Sequence, residues 1–492
     1  MSRHRMKSRR PRNNVKNTTE RPKVEQLKFS RNRLNDGSLE FIAYGSAREV
    51  GRSAFILQDR DRTLLLEAGL KLRPDDLSLP PEKLVNHTPE LDAIILSHAH
   101  VDHSAYIPTM YENDYQGKTF MTEPTLDVAY MLWKDHLKIE GERYWTEDAM
   151  ENAYYHSTTL KYRKKTKLMD DITLEFYNAG HILGSAMSVI DWDGYRILYT
   201  GDINDNITPL FNGYHMPEFD EPIDLIISEG TNGCRTVPKR GPTNKQFIHE
   251  ALDTLNRGHK VLVPTFAVGR SQELLILLTD YIKDYPIFVD GMINKMNAIT
   301  ERYLTPDWID PPLMNRLKEE GRSSPFDYSN IFPITTDNYD RPHDFRRHLG
   351  SSGEPSVIVS TSGMLMPSPM HTHLKSHGIF KKNIVTFVGY QAEGTLGREI
   401  LEGKRKIELV TDFRGKTTTV ELKAQVMNFR FSGHSSSEGV QALVSKSKAT
   451  DSIVVHSDPS NAEDMQSIIG PDRTYIPERM VPINFEMTRV QE

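Results

Sequence analysis

SHAHVDH, residues 97–103, places three histidines and an aspartate in seven positions, directly after the apolar run LDAIIL (91–96). A sharp turn leaving a buried strand can aim His98, His100, Asp102 and His103 at one point. Imidazole nitrogen and carboxylate oxygen suit zinc and similar divalent ions. A histidine pair at i, i+2 followed by Asp-His at i+4, i+5 serves two adjacent ions better than one. A lone His-x-His would read as a solvated loop. Four ligand-type side chains abutting an apolar strand read as a metal centre.

Other short apolar runs stop in the same way at polar or reactive residues. YRILYT (195–200) ends at Gly201-Asp202, DLIIS (224–228) at Glu229, and SIVV (452–455) at His456. KVLVPTF (260–266) runs into Gly269-Arg270, and SVIVS (356–360) into Thr361-Ser362-Gly363. Between these runs lie helical patterns: TLDVAYMLWKDHL (125–137), NKQFIHEALDTLN (244–256) and RSQELLILLTDYI (270–282). Strands alternating with helices predict α/β layers whose sites sit at strand ends. The turn-rich stretch 305–355 predicts long surface loops. His181 in NAGHILGSA, Asp202 in LYTGDIN and His456 in VVHSD extend the ligand set. Asp202, behind a strand and a glycine, is placed to bridge two ions. Two ions about 3.5–4 Å apart suit phosphodiester hydrolysis, because they lower the pKa of a shared water and stabilise both the attacking and the leaving oxygen.

The 492 residues suffice for more than one domain, and no apolar run approaches the roughly 20 residues that cross a bilayer. A single cysteine, Cys234, excludes an intrachain disulfide framework and a cysteine-built zinc site; it reads as structural and suits a reducing compartment, so the expected location is cytoplasmic. The overall charge of −6 hides an asymmetry. Residues 1–33 hold twelve Lys/Arg against Glu20 and Glu25, a net of +10, which leaves −16 for the remainder. Such an arm reads as a disordered solvated tail or as a phosphate-holding segment, with a transit peptide as a weaker third reading.

The motifs, taken in order, resemble a metallo-β-lactamase-fold nuclease of the β-CASP group, nearest to the cleavage and polyadenylation specificity factor-like ribonucleases of archaeal and bacterial type. GSAREVGRS (45–53) is similar to the group's opening loop and LLLEAGL (64–70) to its first motif. SHAHVDH, GHILGSA (180–186) and YTGD (199–202) are similar to the second, third and fourth. ISEGT (227–231), FSGH (431–434) and VVHSD (454–458) resemble motifs A, B and C, and FAVGRSQE (266–273), STSGML (360–365) and GYQAEGTLGR (389–398) resemble β-CASP signatures.

The resemblance implies an α/β fold: an αββα sandwich from 34–207 and 416–492, behind the basic arm 1–33, with a β-CASP cap inserted at 208–415. It implies two zinc ions, one on His98, His100, His181 and Asp202, the other on Asp102, His103, Asp202 and His456. His434 would contact the scissile phosphate or protonate the leaving oxygen, Glu229 would orient it, and Asp102 counts as a catalytic carboxylate as well as a ligand. Arg270, Ser362, Gly363 and Arg398 are the candidate RNA contacts, with surface salt bridges as the competing reading for the two arginines.

Three positions depart from the pattern: Glu67 replaces the usual Asp, and Ser435-Ser436 replace Ala-Asp or Thr-Asp. HTHLKSH (371–377) is a decoy, expected as a partly exposed cap helix without metal. The implied activity is a zinc-dependent ribonuclease, endonucleolytic and with room for 5′–3′ exonuclease action, on single-stranded RNA. A homodimer and a compact, cleavage-factor-like layout are further expectations. The competing readings are a catalytically silent scaffold subunit, which would lack ligands, and a DNA-acting nuclease, against which His456 argues. A small-molecule hydrolase would lack the roughly 200-residue insertion.

Overall fold

The computed structural model describes residues 37–73, 78–217, 219, 221–339, 341–410 and 416–487; the basic arm lies outside them. Two seven-stranded sheets carry the SHAHVDH turn and its partners. From edge to edge, the first holds strands Ile483–Glu486, Ser38–Gly45, Ala54–Gln58, Thr63–Leu66, Ala93–Ile95, Lys118–Thr122 and Ser157–Leu160. The second holds Thr474–Tyr475, Asp451–Val455, Leu225–Glu229, Tyr195–Tyr199, Ala186–Trp192, Ile172–Asn178 and Thr166–Met169. Each sheet turns an apolar face toward the other, and these faces meet. Phe41, Phe55, Leu64 and Ile95 from the first sheet share a fully buried cluster with Leu174, Ile190, Ile197 and Ile227 from the second. Ile172–Asn178 shows the matching alternation of buried and half-buried positions.

Helices close the outer faces. Glu123–Glu140 starts on Thr122, whose side chain accepts the Thr125 N–H, with a proline in its first turn. Its Trp133 is buried, and the indole N–H donates to the Ser104 carbonyl at 3.0 Å, fastening the helix to the end of the ligand turn. Ser437–Ser447 and Pro459–Ile469 cover the second sheet through Leu443, Val440 and Met465. This is the expected αββα sandwich.

A third, six-stranded sheet runs Ile331–Ile334, Ile287–Asp290, Ser356–Ser360, Lys260–Pro264, Ile384–Phe387 and Gln425–Asn428, with parallel pairing throughout. Lys260–Pro264 and Ser356–Ser360 are buried at every position, as central parallel strands must be with helices on both faces. By sheet membership Leu225–Glu229 belongs to the sandwich, pairing with Tyr195–Tyr199 and Asp451–Val455 in the second sheet, whereas Gln425–Asn428 pairs with Ile384–Phe387 in the third.

The stretch 305–355 differs from expectation. It holds helices Pro311–Glu319 and Pro342–Ser351 and the edge strand Ile331–Ile334. Pro311, Pro312 and Pro342 sit in first helical turns, where the missing N–H costs nothing, so residues that read as turns begin helices.

Candidate metal centre

The ligand turn is braced by the segment before it in sequence. The Asp102 carbonyl accepts the Ser53 N–H at 2.8 Å, that of His103 the Ala68 N–H at 2.8 Å, and that of Val101 the Leu70 N–H at 3.0 Å. A Cβ on Gly69 would lie 1.8 Å from the Asp102 carbonyl oxygen, so the approach requires glycine. Glu67 completes the brace: Oε1 accepts the Ser97 N–H at 2.9 Å and Oε2 lies 3.5 Å from His103 Nδ1. The longer acid at this position is thus held by the Ser97 N–H, and its second oxygen faces His103 Nδ1 without a hydrogen bond between them. Ala186 N–H to the Ser97 carbonyl, at 2.8 Å, ties the turn to the second sheet.

The remaining ligand candidates arrive from the ends of strands in the second sheet. His98 Nε2 and His181 Nε2 each lie 3.1 Å from His100 Nδ1. Asp202 Oδ2 is 3.6 Å from His98 Nε2 and 3.7 Å from His181 Nε2. Four ligands at about 2.0–2.1 Å from a tetrahedral ion are separated by about 3.3 Å, so this group matches the edges of one coordination sphere. A second group shares Asp202. His103 Nε2 is 3.4 Å from Asp202 Oδ2 and 4.0 Å from Asp102 Oδ2, and His456 Nε2 is 3.2 Å from Asp102 Oδ2.

The outer nitrogens are already fixed. His181 Nδ1–H donates to the Gly433 carbonyl at 2.7 Å, Ser97 Oγ lies 2.9 Å from His98 Nδ1, and Thr231 Oγ1 lies 3.0 Å from His456 Nδ1. Those contacts leave the inner lone pairs facing the centre. His103 Nε2 and Asp202 Oδ1 are buried with no hydrogen-bond partner among the described residues. Such orphaned groups fit a bound cation.

Electrostatics agree. Burial pushes His98 and His181 well below the usual histidine range, and His100 down to about 4. Neutral imidazoles are what a metal needs. His103 is the exception: burial alone would lower it, but Asp202 and Asp102 outweigh burial and raise it well above its ordinary value. The carboxylates that draw a proton to His103 would draw a divalent cation equally. Burial would raise Asp102 and Asp202, but His103 and the other histidines hold both well below the carboxylate range.

His434 stands at the rim. Its side chain is 25% exposed, whereas those of His98 and His103 are 0% and 1%, so it can be reached from solvent. Its Nδ1–H donates to Glu229 Oε2 at 2.9 Å, which leaves Nε2 for a ligand. Glu229 Oε1 accepts the Ile203 N–H at 2.8 Å, so both carboxylate oxygens are engaged. Burial would lower His434, but Glu229 and Asp202 outweigh it and raise the imidazole to about 9. Ser436 caps the next helix, accepting the Gly439 N–H at 3.1 Å and donating to Asp205 at 2.5 Å.

The seven ligand candidates, His434 and Glu229 therefore converge. Arg270 adjoins them: a Cβ on Gly433 would lie 2.8 Å from its guanidinium. Its charge is paired with Glu273, which Arg240 also contacts at 2.6 Å, and burial lowers it to about 10. Arg398 lies on the helix Leu396–Leu401, its side chain 43% exposed, and pairs with Glu402 at 2.5 Å. Ser362 Oγ accepts the Met366 N–H at 3.0 Å, and the Gly363 carbonyl accepts from Gln391 at 2.9 Å, both within the cap. Thr231, Ser97 and Asn232 escape a reading confined to ligand types. Asn232 donates to the carbonyls of His434 and Ser435 at 3.2 and 2.9 Å, which sets the loop bearing His434. Their signal was position: Ser97 lies inside SHAHVDH, Thr231 inside ISEGT, and Asn232 directly after it.

The decoy is buried rather than partly exposed. His373 Nε2 meets Asp290 at 2.8 Å, and Arg346 grips the same carboxylate at 2.6 and 2.7 Å. His371 lies between the Leu365 carbonyl and the Val410 N–H. These histidines pack the cap. Cys234 is exposed rather than packed and stands outside the cluster.

Three family descriptions match the chain in series: a metallo-beta-lactamase superfamily domain over 56–228, a Beta-Casp domain over 271–400, and a Zn-dependent metallo-hydrolase RNA specificity domain over 419–477. The transcription termination factor FttA of Methanocaldococcus jannaschii is 33% identical over 466 residues, covering 91% of this chain and 71% of that protein. An RNase J-like protein of the same organism is 32% identical over 432 residues, covering 84% and 91%. A crystal structure of a protein of unknown function from Enterococcus faecalis V583 superposes with a TM-score of 0.55 at 12% identity, over 91% of this chain and 100% of that one. That likeness concerns the fold alone.

Proposed function

Because the chain belongs to the β-CASP ribonuclease family of the metallo-β-lactamase fold, and is accordingly a metal-dependent hydrolase that binds RNA, we propose that it is a two-zinc ribonuclease cutting single-stranded RNA. The observation that carries this reading is the complete ligand set closing on shared Asp202, with the His434–Glu229 pair at its open side.

His98, His100, His181 and Asp202 would hold one ion, and Asp102, His103, Asp202 and His456 the other. When bound, the ions supply a nucleophile from water near neutral pH and charge stabilisation for both reacting oxygens. His434 presents Nε2 to the scissile phosphate and, protonated at neutral pH, donates a proton to the leaving oxygen. Glu229 acts through His434, fixing its ring and favouring its charged form. Asp102, bonded to His456 and beside His103, orients the second set. Arg270, next to Gly433, and Arg240 share the single carboxylate of Glu273, so the group leaves net positive charge on the same side.

Relatives named as a transcription termination factor and as RNase J-like support an RNA substrate. Action in RNA processing or decay in the cytoplasm, by endonucleolytic cutting with 5′–3′ exonuclease action as a further mode, is part of the proposal. A homodimer is part of this proposal. The full ligand set argues against a silent scaffold subunit. The test is digestion of one RNA labelled at either end, as 5′-triphosphate and 5′-monophosphate forms, beside elemental analysis for zinc. Two zinc per chain and cleavage are expected. Stoichiometric absence of zinc with no cleavage would leave the scaffold reading.

A further inference from the structure

The run KYRKKTK, 161–167, holds five cations in seven residues, although the chain beyond its basic arm carries a net −16. Lys161, Arg163, Lys164, Lys165 and Lys167 are all exposed. The run follows the edge of the second sheet toward the loop that bears His181. Thr166 pairs with Leu174, and Arg163 N–H donates to the Phe176 carbonyl at 2.8 Å. Half-buried Tyr162 anchors the run: its hydroxyl donates to the Ser185 carbonyl at 2.8 Å and its ring packs edge-on against Trp308 at 5.1 Å. Ser185 closes the His181 loop, since its hydroxyl accepts the His181 N–H at 3.2 Å. On the loop's other flank, the Arg163 guanidinium lies 3.5 Å from His215 Nδ1, and His215 N–H donates to the Asn178 carbonyl at 2.8 Å. The run is thus fastened to both ends of the segment that delivers a ligand.

Its counter-charges lie at the surface and are exchangeable. Lys161 pairs with Asp307 at 2.8 Å, Lys165 with Asp191 at 3.3 Å and Lys167 with Asp170 at 2.9 Å, every lysine side chain being at least 60% exposed. Lys164 has no carboxylate partner among the described residues. Pairs of this kind are held weakly in water and give way to a polyanion that releases its own counterions.

We propose that residues 161–167 form a phosphate track that holds single-stranded RNA beyond the metal centre, on the His181 side. The proposal rests on the ribonuclease reading. It adds a binding segment outside the motifs and predicts a dependence on RNA length: a short oligomer fills only the centre, and a longer one also lies along the track.

The experiment compares the zinc-loaded full chain with Lys164→Ala/Lys165→Ala/Lys167→Ala, which leaves the anchoring Tyr162 and Arg163 in place, and with a control, Lys283→Ala/Lys318→Ala/Lys404→Ala, which removes three exposed cations elsewhere. Anisotropy measures binding of a short phosphorothioate RNA and one several times longer across a salt series, and cleavage is measured on the unmodified strands. The track variant is expected to bind the long RNA about tenfold more weakly at low salt, with a salt slope shallower by about 2, near 0.7 for each phosphate that is no longer neutralised. KM for the long RNA rises, while its kcat and the short RNA are unchanged. Equal effects in variant and control, an equal loss on the short RNA, or an unaltered salt slope would each overturn the track. Wild-type protein that binds RNA with this length and salt dependence yet cuts neither strand would refute the ribonuclease reading and leave the track standing.

Discussion

Glu229→Gln preserves volume and removes one charge from a carboxylate that is engaged at both oxygens. Oε1 accepts the Ile203 N–H at 2.8 Å and Oε2 accepts His434 Nδ1–H at 2.9 Å. A carboxamide has one oxygen, so it can satisfy only one of these donors. If that oxygen keeps the buried Ile203 N–H, the amide NH2 faces Nδ1 and forces His434 into the neutral tautomer with its proton on Nε2. The charge-assisted bond that favours imidazolium is then gone. Such bonds contribute about 1.5–3 kcal/mol, which at 1.36 kcal/mol per decade predicts a roughly 10- to 150-fold slower cleavage step. His434→Ala should be slower still, by about 10²–10⁴. Both variants should retain both zinc ions. The assay is single-turnover cleavage at saturating enzyme, with zinc by elemental analysis and a thermal melt to establish folding. A pH profile separates positioning from mere packing. An acid donates only while protonated, so activity falls as pH rises through its pKa. Without Glu229 the His434 pKa drops from about 9, and the falling limb should move to lower pH. A folded Glu229→Gln protein with wild-type rate and profile would refute the pairing, and loss of a zinc ion from His434→Ala would make His434 a ligand.

Asp102→Ala/His103→Ala should lose one zinc equivalent and nearly all cleavage while keeping its fold, since both residues lie in the braced turn; unchanged zinc content with normal cleavage would remove the second metal position. Gly69→Ala should destabilise by about 2 kcal/mol or more and lower zinc occupancy, because its Cβ meets the Asp102 carbonyl at 1.8 Å; a melt and elemental analysis check both. His373→Ala should lower stability by about 1–3 kcal/mol in chemical denaturation with zinc content untouched, because it unpairs part of buried Asp290. Burial would raise Asp290, but Arg346 and His373 hold it at about 2; its stabilisation is therefore complete above the unfolded carboxyl value of about 4 and fades as pH falls toward 2, which Asp290→Asn should flatten. Deleting residues 2–33 should weaken RNA binding at low salt more than it slows cleavage at saturating RNA; an unchanged salt slope would assign the +10 arm another role.

The ligands were legible because each sits where an apolar strand stops, and that boundary is written locally in the chain. LDAIIL before His98, YRILYT before Asp202 and SIVV before His456 need no long-range knowledge. The braces are different in kind. Gly69 looks like any turn glycine until the Asp102 carbonyl is seen packed against it, and Thr231 acquires its role only when His456, 225 residues away, reaches its hydroxyl. The stretch 305–355 misled because proline carries the same local signal in a turn and in a first helical turn; the Leu313–Leu317 pair, four residues apart and buried, was the periodic cue that distinguishes them. The end of the inserted sheet was hidden for a related reason. Gln425–Asn428 is a half-exposed edge strand, so its composition does not say which sheet it joins, and pairing with Ile384–Phe387 decides it. The basic run 161–167 shows the same division. Its charge is plain in the sequence, but charge alone describes a solvated face. Only the contacts of Tyr162 with Ser185, and of Arg163 through His215 with Asn178, tie it to the His181 loop and make it the phosphate track we propose.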